Sequence, residues 1–383
     1  MKVLHAIDAL GVGGGAEHSL AAMLPRLRDL GVESSVVTLI PREGGLQERL
    51  RDEGFRVDVL PTSSWPGRVQ AMRAAIKEQQ PDVVHATLLN SCLVARAASI
   101  RSTVPLLNSL VNTTYDPVRL QGLDVSPRKL DVLRRIDGFT ARHFVDHFHA
   151  LTEAVRTEGT DVLGIDGDRI TVVPRGRPMP SLPADPAAAR LAIREELEVD
   201  ADAPMLLNLA RQDHQKAQPE LIRAFAQVVE QIPDAVLVLA GRAGDATPNI
   251  ERAIDETGVG ASIRMPGHRT DVPLIYTAAD VFVFPSHYEG FGGTLIEAMS
   301  VGTPIIGSDA PAIAEVLGHG EFGVVVPRGD IDGLGSAMVD LLGDAGRRAE
   351  FSRRGVEQFA ARYEIGEVTN AMLELYRSVA RRS

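Results

Sequence analysis

Residues 280–304 read DVFVFPSHYEGFGGTLIEAMSVGTP, in which an apolar run, a glycine-rich turn and a second apolar segment follow one another. The run 281–284 predicts a buried β-strand, and the segment from Thr294 onward predicts a short helix. A strand that leads through a tight turn into a helix is a building block of parallel sheets. The stretch therefore indicates an α/β fold.

The same alternation of short apolar runs and longer helical patterns continues along the chain. Helical patterns such as Glu17–Leu30 and Val69–Glu78 separate the runs. Strands separated by helices indicate βαβ units and a parallel sheet. The predicted strands are Val3–Ile7, Ser35–Ile40, Val57–Leu60, Val83–His85, Pro105–Leu110, Phe148–Leu151, Ile170–Val173, Met205–Leu209, Val236–Leu239, Ser262–Met265, Val281–Phe284, Pro304–Ile306 and Gly323–Val326.

A proline-rich segment interrupts this alternation and predicts a domain junction. Residues 174–186 contain five prolines, which neither a helix nor a central strand tolerates. We expect an N-terminal domain over residues 1–173, a second domain over 174–362, and a C-terminal helix over 363–383 that packs back on the first domain. Both domains should be Rossmann-like, doubly wound parallel sheets that face each other across a cleft. Ligands in such folds bind at the carboxyl edge of the strands, against helix N-termini.

The composition excludes several classes of protein. The formal net charge of -11 argues against a general nucleic-acid binder, which would normally carry a basic face. Cys92 is the only cysteine, so the chain has no intrachain disulfide and no cysteine-based zinc cluster. No apolar run reaches the ~20 residues of a membrane span, and the N-terminus does not resemble a signal peptide. A cytoplasmic protein is expected, with the inner face of the membrane as a second location.

The glycine-rich turn predicts a ligand site. Gly290, Gly292 and Gly293 let the backbone turn sharply and approach a ligand closely. Amides at the start of the following helix favour an anion, whereas the carboxylates of Glu289 and Glu297 would repel one. Sugar or ribose hydroxyls are the natural partners of those carboxylates. A nucleotide-sugar offers ribose hydroxyls, a diphosphate and a hexose together.

Both carboxylates also have an interpretation that needs no ligand. Thr294 and Glu297 have the spacing of a capping box, in which the glutamate bonds only to backbone at the helix start. Glu289 could equally be a solvated loop carboxylate. The spacing leaves both interpretations open.

The positive charge that a diphosphate requires is found after another predicted strand of the same half. Arg211 follows Met205–Leu209, and Lys216 comes five residues later. Arginine binds a phosphate through two parallel hydrogen bonds, and lysine adds a mobile point charge. Together they would stabilise the charge that grows on a departing diphosphate. The competing interpretation is a pair of solvated surface cations.

These residues resemble the signature of a known family. Arg211-(x4)-Lys216, then Glu289-Gly-Phe-Gly-(x4)-Glu297-Ala-Met-(x2)-Gly302-x-Pro304, is similar to the motif of the retaining glycosyltransferases of family 4, which have the two-Rossmann GT-B fold. Weaker similarities extend along nearly the whole chain. They lie at residues 13–17, 82–85, 241–244, 267–268, 315–316 and 323–327.

The resemblance implies roles for individual residues. Arg211 and Lys216 would hold the donor diphosphate, Glu297 the ribose hydroxyls and Glu289 the hexose hydroxyls. Arg211, Lys216 and Glu289 would form the catalytic group. The remaining donor-binding residues implied by the resemblance are Gly14, Gly15, Gly241, His268, Gly290, Phe291, Gly292 and Gly293.

The same resemblance implies the reaction. The family transfers a sugar with retention, without a metal and without a cofactor beyond its nucleotide-sugar substrate. A UDP-sugar is expected in preference to a GDP- or ADP-sugar. The acceptor is a hydroxyl compound that no motif identifies.

Two departures from the family pattern lie in the N-terminal half. Residues 104–114, after the fifth strand, contain no histidine, and Asn112 is the nearest polar candidate there. His85 is followed by Ala86-Thr87, where the family often has a second histidine. His85 and Asn112 are therefore the candidates on the acceptor side.

The residues are compatible with three further functions. Residues 11–16 fit a dinucleotide fingerprint after the first strand, which would indicate an NAD(P)-dependent dehydrogenase. That interpretation needs an acidic residue at the end of the second strand, where the chain has Pro41-Arg42. A nucleotide-sugar epimerase of similar fold and a non-catalytic nucleotide-sugar binding protein also remain open.

Residues 117–149 mix basic and aromatic side chains. Such a segment could lie against an anionic membrane, although Asp124, Asp131 and Asp137 dilute its charge and favour a solvated face. Aspartate pairs at 166 and 168, 200 and 202, and 330 and 332 match an Asp-x-Asp metal pattern. We interpret them as turn and capping residues and expect no metal site.

Overall fold

The structure is a computed structural model that describes residues 1–11, 14–42, 44–62, 64–121 and 126–381. Gly13 of the N-terminal glycine loop and Asp124 lie outside the described residues. Every predicted strand is present, with its ends shifted by at most two residues. The strands are β1 Lys2–Ile7, β2 Glu33–Thr38, β3 Arg56–Val59, β4 Val83–Thr87, β5 Leu106–Leu110, β6 His147–Ala150, β7 Ile170–Val172, β8 Met205–Leu209, β9 Val236–Ala240, β10 Ile263–Gly267, β11 Val281–Phe284, β12 Ile305–Ser308 and β13 Val324–Val326.

Helices alternate with these strands. They are α1 Gly15–Asp29, α2 Leu46–Asp52, α3 Trp65–Gln79, α4 Leu89–Ser99, α5 Pro117–Gln121, α6 Pro127–Phe144, α7 Glu153–Asp161, α8 Pro186–Glu196, α9 Gln218–Gln231, α10 Thr247–Thr257, α11 Val272–Ala278, α12 Gly293–Ser300, α13 Pro311–Val316, α14 Ile331–Gly343, α15 Ala345–Gln358 and α16 Ile365–Ala380.

Two parallel sheets form, and they share one topology. The first has the order β3-β2-β1-β4-β5-β6-β7, and the second has the order β10-β9-β8-β11-β12-β13. Every strand pairing in both sheets is parallel. This is the doubly wound Rossmann arrangement, so the predicted fold class is confirmed. The strand order reverses between β1 and β4 and between β8 and β11. Ligands of such sheets bind beyond the strand ends at these two switch points.

The contacts between Cα atoms divide the chain into two compact units. Unit 1 consists of Met1–Tyr115, Leu123–Pro178 and Arg362–Ser383, and unit 2 consists of Asp116–Gly122 and Met179–Ala361.

The units differ from the predicted ranges at three places, one of which is Arg362, which belongs to unit 1. The main division falls after Pro178 rather than after residue 173, because Arg177 exchanges backbone hydrogen bonds with Tyr363 and Ile365 at the start of α16. The α5 segment belongs to unit 2 rather than to the N-terminal half. The α16 helix belongs to unit 1, where it packs on α1 and β4.

The strands are mostly apolar on both sides because both faces of each sheet are covered. In unit 1, α1 and α16 bury Leu24 and Tyr376 on one side, while α3, α4 and α6 bury residues such as Met72 and Ala141 on the other. In unit 2, α9, α10 and α14 pack together over one face around Phe225. Two buried faces leave only the strand ends and their loops open to ligands.

No described helix combines the length and the apolar content that a membrane span requires.

Candidate functional site

The switch point of unit 2 lies between the ends of β8 and β11, and the predicted donor residues follow these two strands. Arg211 and Lys216 follow β8, and Glu289 follows β11. The loops after the two strands are tied together. The His287 amide donates to the Gln215 carbonyl at 2.9 Å, and Gln215 Nε2 donates to the Tyr288 carbonyl at 2.7 Å. These bonds fix the two loops against each other.

Lys216 sits at the end of a 3₁₀ turn, His214–Lys216, that precedes α9. The turn is anchored at both ends. The His214 amide donates to Asp245 Oδ1 at 2.9 Å, and the Lys216 amide donates to the Asp213 carbonyl at 2.8 Å. Ala217 then adopts a left-handed conformation, with φ of 52°, and redirects the chain into the helix. The ammonium of Lys216 is therefore carried by a fixed backbone.

Lys216 Nζ forms an ion pair with Glu289 Oε1. The two side chains are only 15% and 12% exposed. The ammonium also lies 5.0 Å from the centre of the Phe284 ring, at the end of β11, which adds a cation–π contact. Two opposite charges in a largely buried setting interact more strongly than they would in open solvent. The structure thus joins two residues that are 73 positions apart in the sequence.

The glycine-rich turn ends in the N-terminus of α12. Gly292 is the N-cap of this helix and has φ of 80°, a left-handed conformation that strains any residue with a Cβ atom. No side chain caps the helix. Phe291 is buried, with 2% exposure, and anchors the turn to the core. The arrangement leaves backbone amides at the helix start, the feature that favours anions.

The capping-box interpretation of Glu297 does not match the structure. The N-cap is Gly292, so Thr294 already lies inside the first turn of α12 and cannot act as the capping residue. Glu297 is partly buried in the second half of the helix, and its backbone carbonyl accepts from Ser300 Oγ at 2.7 Å.

Arg211 is placed differently from Lys216. Its side chain is 62% exposed and pairs with Asp213 Oδ2 at 2.8 Å. The guanidinium therefore lies near the surface of the loop after β8, where it is able to move. Of these two cations, Lys216 alone forms an ion pair with a carboxylate of the glycine-rich turn.

The predicted loop after β9 comes close to the loop after β8. Gly241 has φ of 149°, and a Cβ atom there would lie 1.8 Å from the Ala210 carbonyl oxygen, so only glycine fits. The Gly241 amide donates to the Gly267 carbonyl at 2.8 Å, which adds the loop after β10. His268 is exposed beside Arg242, with 3.3 Å between Nε2 and Nη2. The loops after β8, β9 and β10 thus lie together at one sheet edge.

In unit 1, Gly14 and Gly15 lie at the start of α1. Gly14 is the N-cap, and a Cβ atom there would lie 1.9 Å from the Glu17 carboxylate. Because that carboxylate is the end of a flexible side chain, a residue with a Cβ atom at position 14 would require only that Glu17 move. Both glycines follow β1, at the switch point of the first sheet.

His85 is buried in the middle of β4, which continues to Thr87, and it belongs to a closed hydrogen-bond network. His149 Nε2 donates to the Val173 carbonyl at 2.8 Å, so its Nδ1 accepts from Ser109 Oγ at 2.9 Å. Ser109 in turn accepts from His85 Nε2 at 2.7 Å, which leaves His85 Nδ1 to accept from the Tyr376 hydroxyl at 2.8 Å. Every member is satisfied while both histidines are neutral.

Burial keeps these histidines neutral. It lowers the pKa of His85 well below 6.5, with smaller contributions from His5 and His149. It also lowers the pKa of His5 to about 3 and that of His149 to about 4. His85, Ser109 and His149 of this network line an open pocket of about 530 Å³, whose wall also contains apolar residues of α1 and α16 and the polar side chains of Ser19, Thr87 and Arg175. His85 is therefore a poor general base, because both of its ring nitrogens are engaged and its charged form is disfavoured.

Asn112 lies in the loop after β5, and its Oδ1 is buried. Within the part of the chain that the structure describes, this oxygen and Thr113 Oγ1 have no hydrogen-bond partner. A buried acceptor without a partner costs free energy, so a ligand hydroxyl would be a natural donor to it.

Sequence reasoning missed Phe284 as a contact of Lys216, and it missed Arg119. The Arg119 guanidinium lies 5.9 Å from the centre of the Tyr288 ring, and its Nη1 is buried without a hydrogen-bond partner among the residues described. Arg119 is remote in sequence from the glycine-rich turn, so no local pattern could have indicated this contact.

The aspartate pairs behave mainly as capping residues. Asp166 accepts from the Asp168 amide at 3.0 Å, and Asp330 accepts from the Gly333 amide at 2.9 Å at the start of α14. Over residues 1–11, 14–42, 44–62, 64–121 and 126–381, no cluster of three or more potential ligands is arranged to hold a metal ion.

Two family models match the chain. The model of the glycosyl transferases group 1 matches residues 189–358, and that of the glycosyl transferase 4-like domain matches residues 14–176.

Relatives with assigned activities are similar over most of their length. The D-inositol 3-phosphate glycosyltransferase of Kineococcus radiotolerans is 30% identical over 348 residues, which is 85% of this chain and 78% of the relative. The D-inositol 3-phosphate glycosyltransferase 2 of Catenulispora acidiphila is 26% identical over 96% of this chain and 90% of its own.

Solved structures share the fold. Anabaena HepE in complex with UDP has a TM-score of 0.85 at 21% identity, covering 99% of this chain and all (100%) of that one. WaaG, a glycosyltransferase involved in lipopolysaccharide biosynthesis, has a TM-score of 0.76 at 16% identity, covering 98% of this chain and 99% of that one.

Proposed function

We propose a reaction for this chain, which belongs to the family of group 1 glycosyl transferases. In this proposal the enzyme moves a hexose-type sugar from a nucleoside-diphosphate donor to an acceptor hydroxyl. The observation that supports this donor most directly is the ion pair between Lys216 and Glu289. It places an ammonium for a phosphate and a carboxylate for sugar hydroxyls side by side, at the sheet edge where such folds bind ligands.

A UDP-sugar is the donor that we favour over a GDP- or ADP-sugar. HepE, which has the same fold, has been solved with UDP and with UDP-glucose. In our proposal Glu297 binds the ribose hydroxyls, and the amides of Phe291, Gly292 and Gly293 border the phosphates and the sugar. Arg211, exposed beside Asp213, would move onto the diphosphate when the donor binds.

The transfer proceeds with retention in this proposal. The bond between the anomeric carbon and the β-phosphate oxygen breaks, and the bond to the acceptor oxygen forms on the same face. The acceptor proton passes to the departing phosphate oxygen. The state of His85 favours proton transfer to the phosphate. A buried neutral histidine with both ring nitrogens hydrogen-bonded is poorly suited to accept the acceptor's proton. Lys216 would stabilise the charge on the leaving diphosphate, and no metal or further cofactor is required.

Asn112 is proposed as an acceptor contact because its unpaired Oδ1 is able to accept from an incoming hydroxyl. D-inositol 3-phosphate is the first acceptor to test, since curated relatives are named for it. We propose the cytoplasm, including the inner face of the membrane, as the location.

Incubation with UDP-, GDP- and ADP-glucose, each with and without D-inositol 3-phosphate, tests the proposal. Release of one nucleoside diphosphate is expected, together with a glycoside whose anomeric configuration by NMR equals that of the donor. An unchanged rate in EDTA is expected for a metal-independent reaction.

Each rival function gives a different result in the same assay. An epimerase would convert the donor without a transferred product, and a binding protein would hold the donor without turnover. A dehydrogenase would instead show the absorbance change of a nicotinamide. Any of these results would refute the transfer proposal.

A further inference from the structure

The α6 helix has one exposed face on which apolar and basic side chains alternate. Val132, Ile136 and Phe139 are 56%, 50% and 51% exposed, although all three are large hydrophobic residues. Their spacing of four and then three residues places them in one row along the helix. A row of exposed apolar side chains on one helix face marks an interaction surface rather than random surface composition.

Basic residues flank this row. Arg128, Lys129, Arg135 and Arg142 are all exposed at neighbouring positions of the same helix. The helix contains five basic and two acidic residues, which gives +3 in a chain whose net charge is -11. The positive charge is therefore local, and an anionic partner would be attracted to α6 and repelled by much of the remaining surface.

Of the two described aspartates, Asp137 lies away from this face, whereas Asp131 offsets part of the charge of Arg134 and Arg135. Asp137 is buried, with 4% exposure, and binds Arg96 at 2.6 Å inside unit 1. Asp131 is held by Arg134 at 2.6 Å and by Arg135 at 2.8 Å. In the described part of the chain, no ion pair engages Arg128 or Lys129. The exposed face thus presents cations and apolar side chains together.

Other residues of the segment 117–149 do not belong to this face. Arg119 is part of unit 2 and lies over the Tyr288 ring, and Phe148 is fully buried in β6. The candidate surface is therefore limited to the exposed residues of α6 between positions 128 and 142, which we name the α6 face.

We propose that the α6 face docks the protein on the surface of an anionic phospholipid bilayer. An interfacial helix buries an apolar row at the level of the lipid headgroups, and flanking lysines and arginines bind the anionic headgroups. The α6 face offers both contributions on one rigid helix. Its opposite side is fixed in the core by Asp137 and Ala141, so the helix does not need to fold on binding. The proposal does not depend on the proposed sugar transfer.

Flotation of the purified full chain with lipid vesicles tests this proposal. Vesicles that contain phosphatidylglycerol are compared with vesicles of phosphatidylcholine alone, at low and at physiological salt. The wild-type chain should float with the anionic vesicles and bind them more weakly as salt rises.

Two variants test the apolar row and the basic residues of the α6 face separately. Val132→Ser with Ile136→Ser and Phe139→Ser should lower vesicle binding about tenfold or more by removing the apolar row. Arg128→Gln with Lys129→Gln and Arg135→Gln should lower binding to anionic vesicles by a similar factor and weaken its salt dependence.

A matched control carries three serines at exposed apolar positions elsewhere. Leu30, Ile100 and Leu191 are 42%, 42% and 51% exposed, and their replacement by serine should leave vesicle binding unchanged. Circular dichroism confirms that each variant is folded, and donor hydrolysis in solution should stay at the wild-type level for all of them.

Three results would overturn the proposal. One is a wild-type chain that does not prefer anionic vesicles, and another is an apolar variant that binds them normally. The third is self-association that depends on the α6 face in the absence of vesicle binding, since this would identify a second copy of the chain as the partner.

Discussion

The two switch points have the same strand topology and opposite chemistry. Beyond β8 and β11, Lys216 and Glu289 form a largely buried ion pair. In unit 1, β4 carries His85 in a neutral network that satisfies its own hydrogen bonds. Asp8, after β1, likewise binds Asn90 Nδ2 at 2.9 Å and the Ser91 amide at 2.8 Å. The same topology therefore carries an ion pair at the edge of unit 2 and a neutral histidine network in unit 1, and the side chains decide the difference.

The largest expected effect is on turnover, from the charged edge of unit 2. Lys216→Ala should lower kcat by about 10²- to 10³-fold, since in the proposed reaction it removes the cation that stabilises the leaving diphosphate. The donor KM should change much less. Steady-state kinetics with the identified donor measure both constants. Lys77→Ala, on the exposed side of α3, is the control, and equal kcat for both variants would remove Lys216 from the site.

The neutral edge of unit 1 should affect stability instead of turnover. His85→Phe would leave the buried Tyr376 hydroxyl without its acceptor and remove the bond from His85 to Ser109, at a cost of about 3 kcal/mol in the free energy of unfolding. Urea unfolding measures this loss, with His143→Phe on the exposed side of α6 as the control. The kcat of the folded fraction should stay within about twofold of the wild type. A large fall in kcat at normal stability would instead assign His85 to the acceptor site.

The buried histidines predict acid-sensitive stability. The folded pKa values of His5 and His149, about 3 and 4, lie below the unfolded value of 6.5. Protonation therefore favours the unfolded chain. The stabilisation is complete above pH 6.5 and is lost as the pH falls toward the folded values. His149→Asn should reduce the loss between pH 7 and pH 5 by about 2 kcal/mol. Urea unfolding at both pH values checks this, and an equally steep loss in the variant would contradict it.

The smallest expected effect concerns donor affinity in unit 2. Glu297→Ala should raise the donor KM about tenfold, because the proposed hydrogen bonds to the ribose would be lost, with little change in kcat. Glu367→Ala, in the first turn of α16, is the control because it removes a helical glutamate of unit 1. An unchanged KM for the Glu297 variant would leave that carboxylate with a purely structural role.

Sequence reasoning predicted the fold well because the fold depends on local patterns. Buried parallel strands require mainly apolar runs, and such runs were recognisable in the sequence for every strand from β1 to β13. The glycine-rich turn was equally readable, since only glycine is unstrained in the conformation that Gly292 adopts. The capping-box interpretation of Thr294 was wrong because the helix begins at Gly293, before the residue that was expected to cap it.

The sequence by itself determined two doubly wound sheets, the order of their strands, helices and turns along the chain, and the positions of charged residues after particular strands. Only the tertiary structure decided that Lys216 pairs with Glu289, that Arg211 remains beside Asp213, and that the α6 face is exposed. The physical reason is the distance along the sequence over which the deciding interactions act. Secondary structure follows from periodicities over a few residues, whereas the pairing, burial and charge state of a side chain depend on neighbours that folding brings from distant parts of the chain.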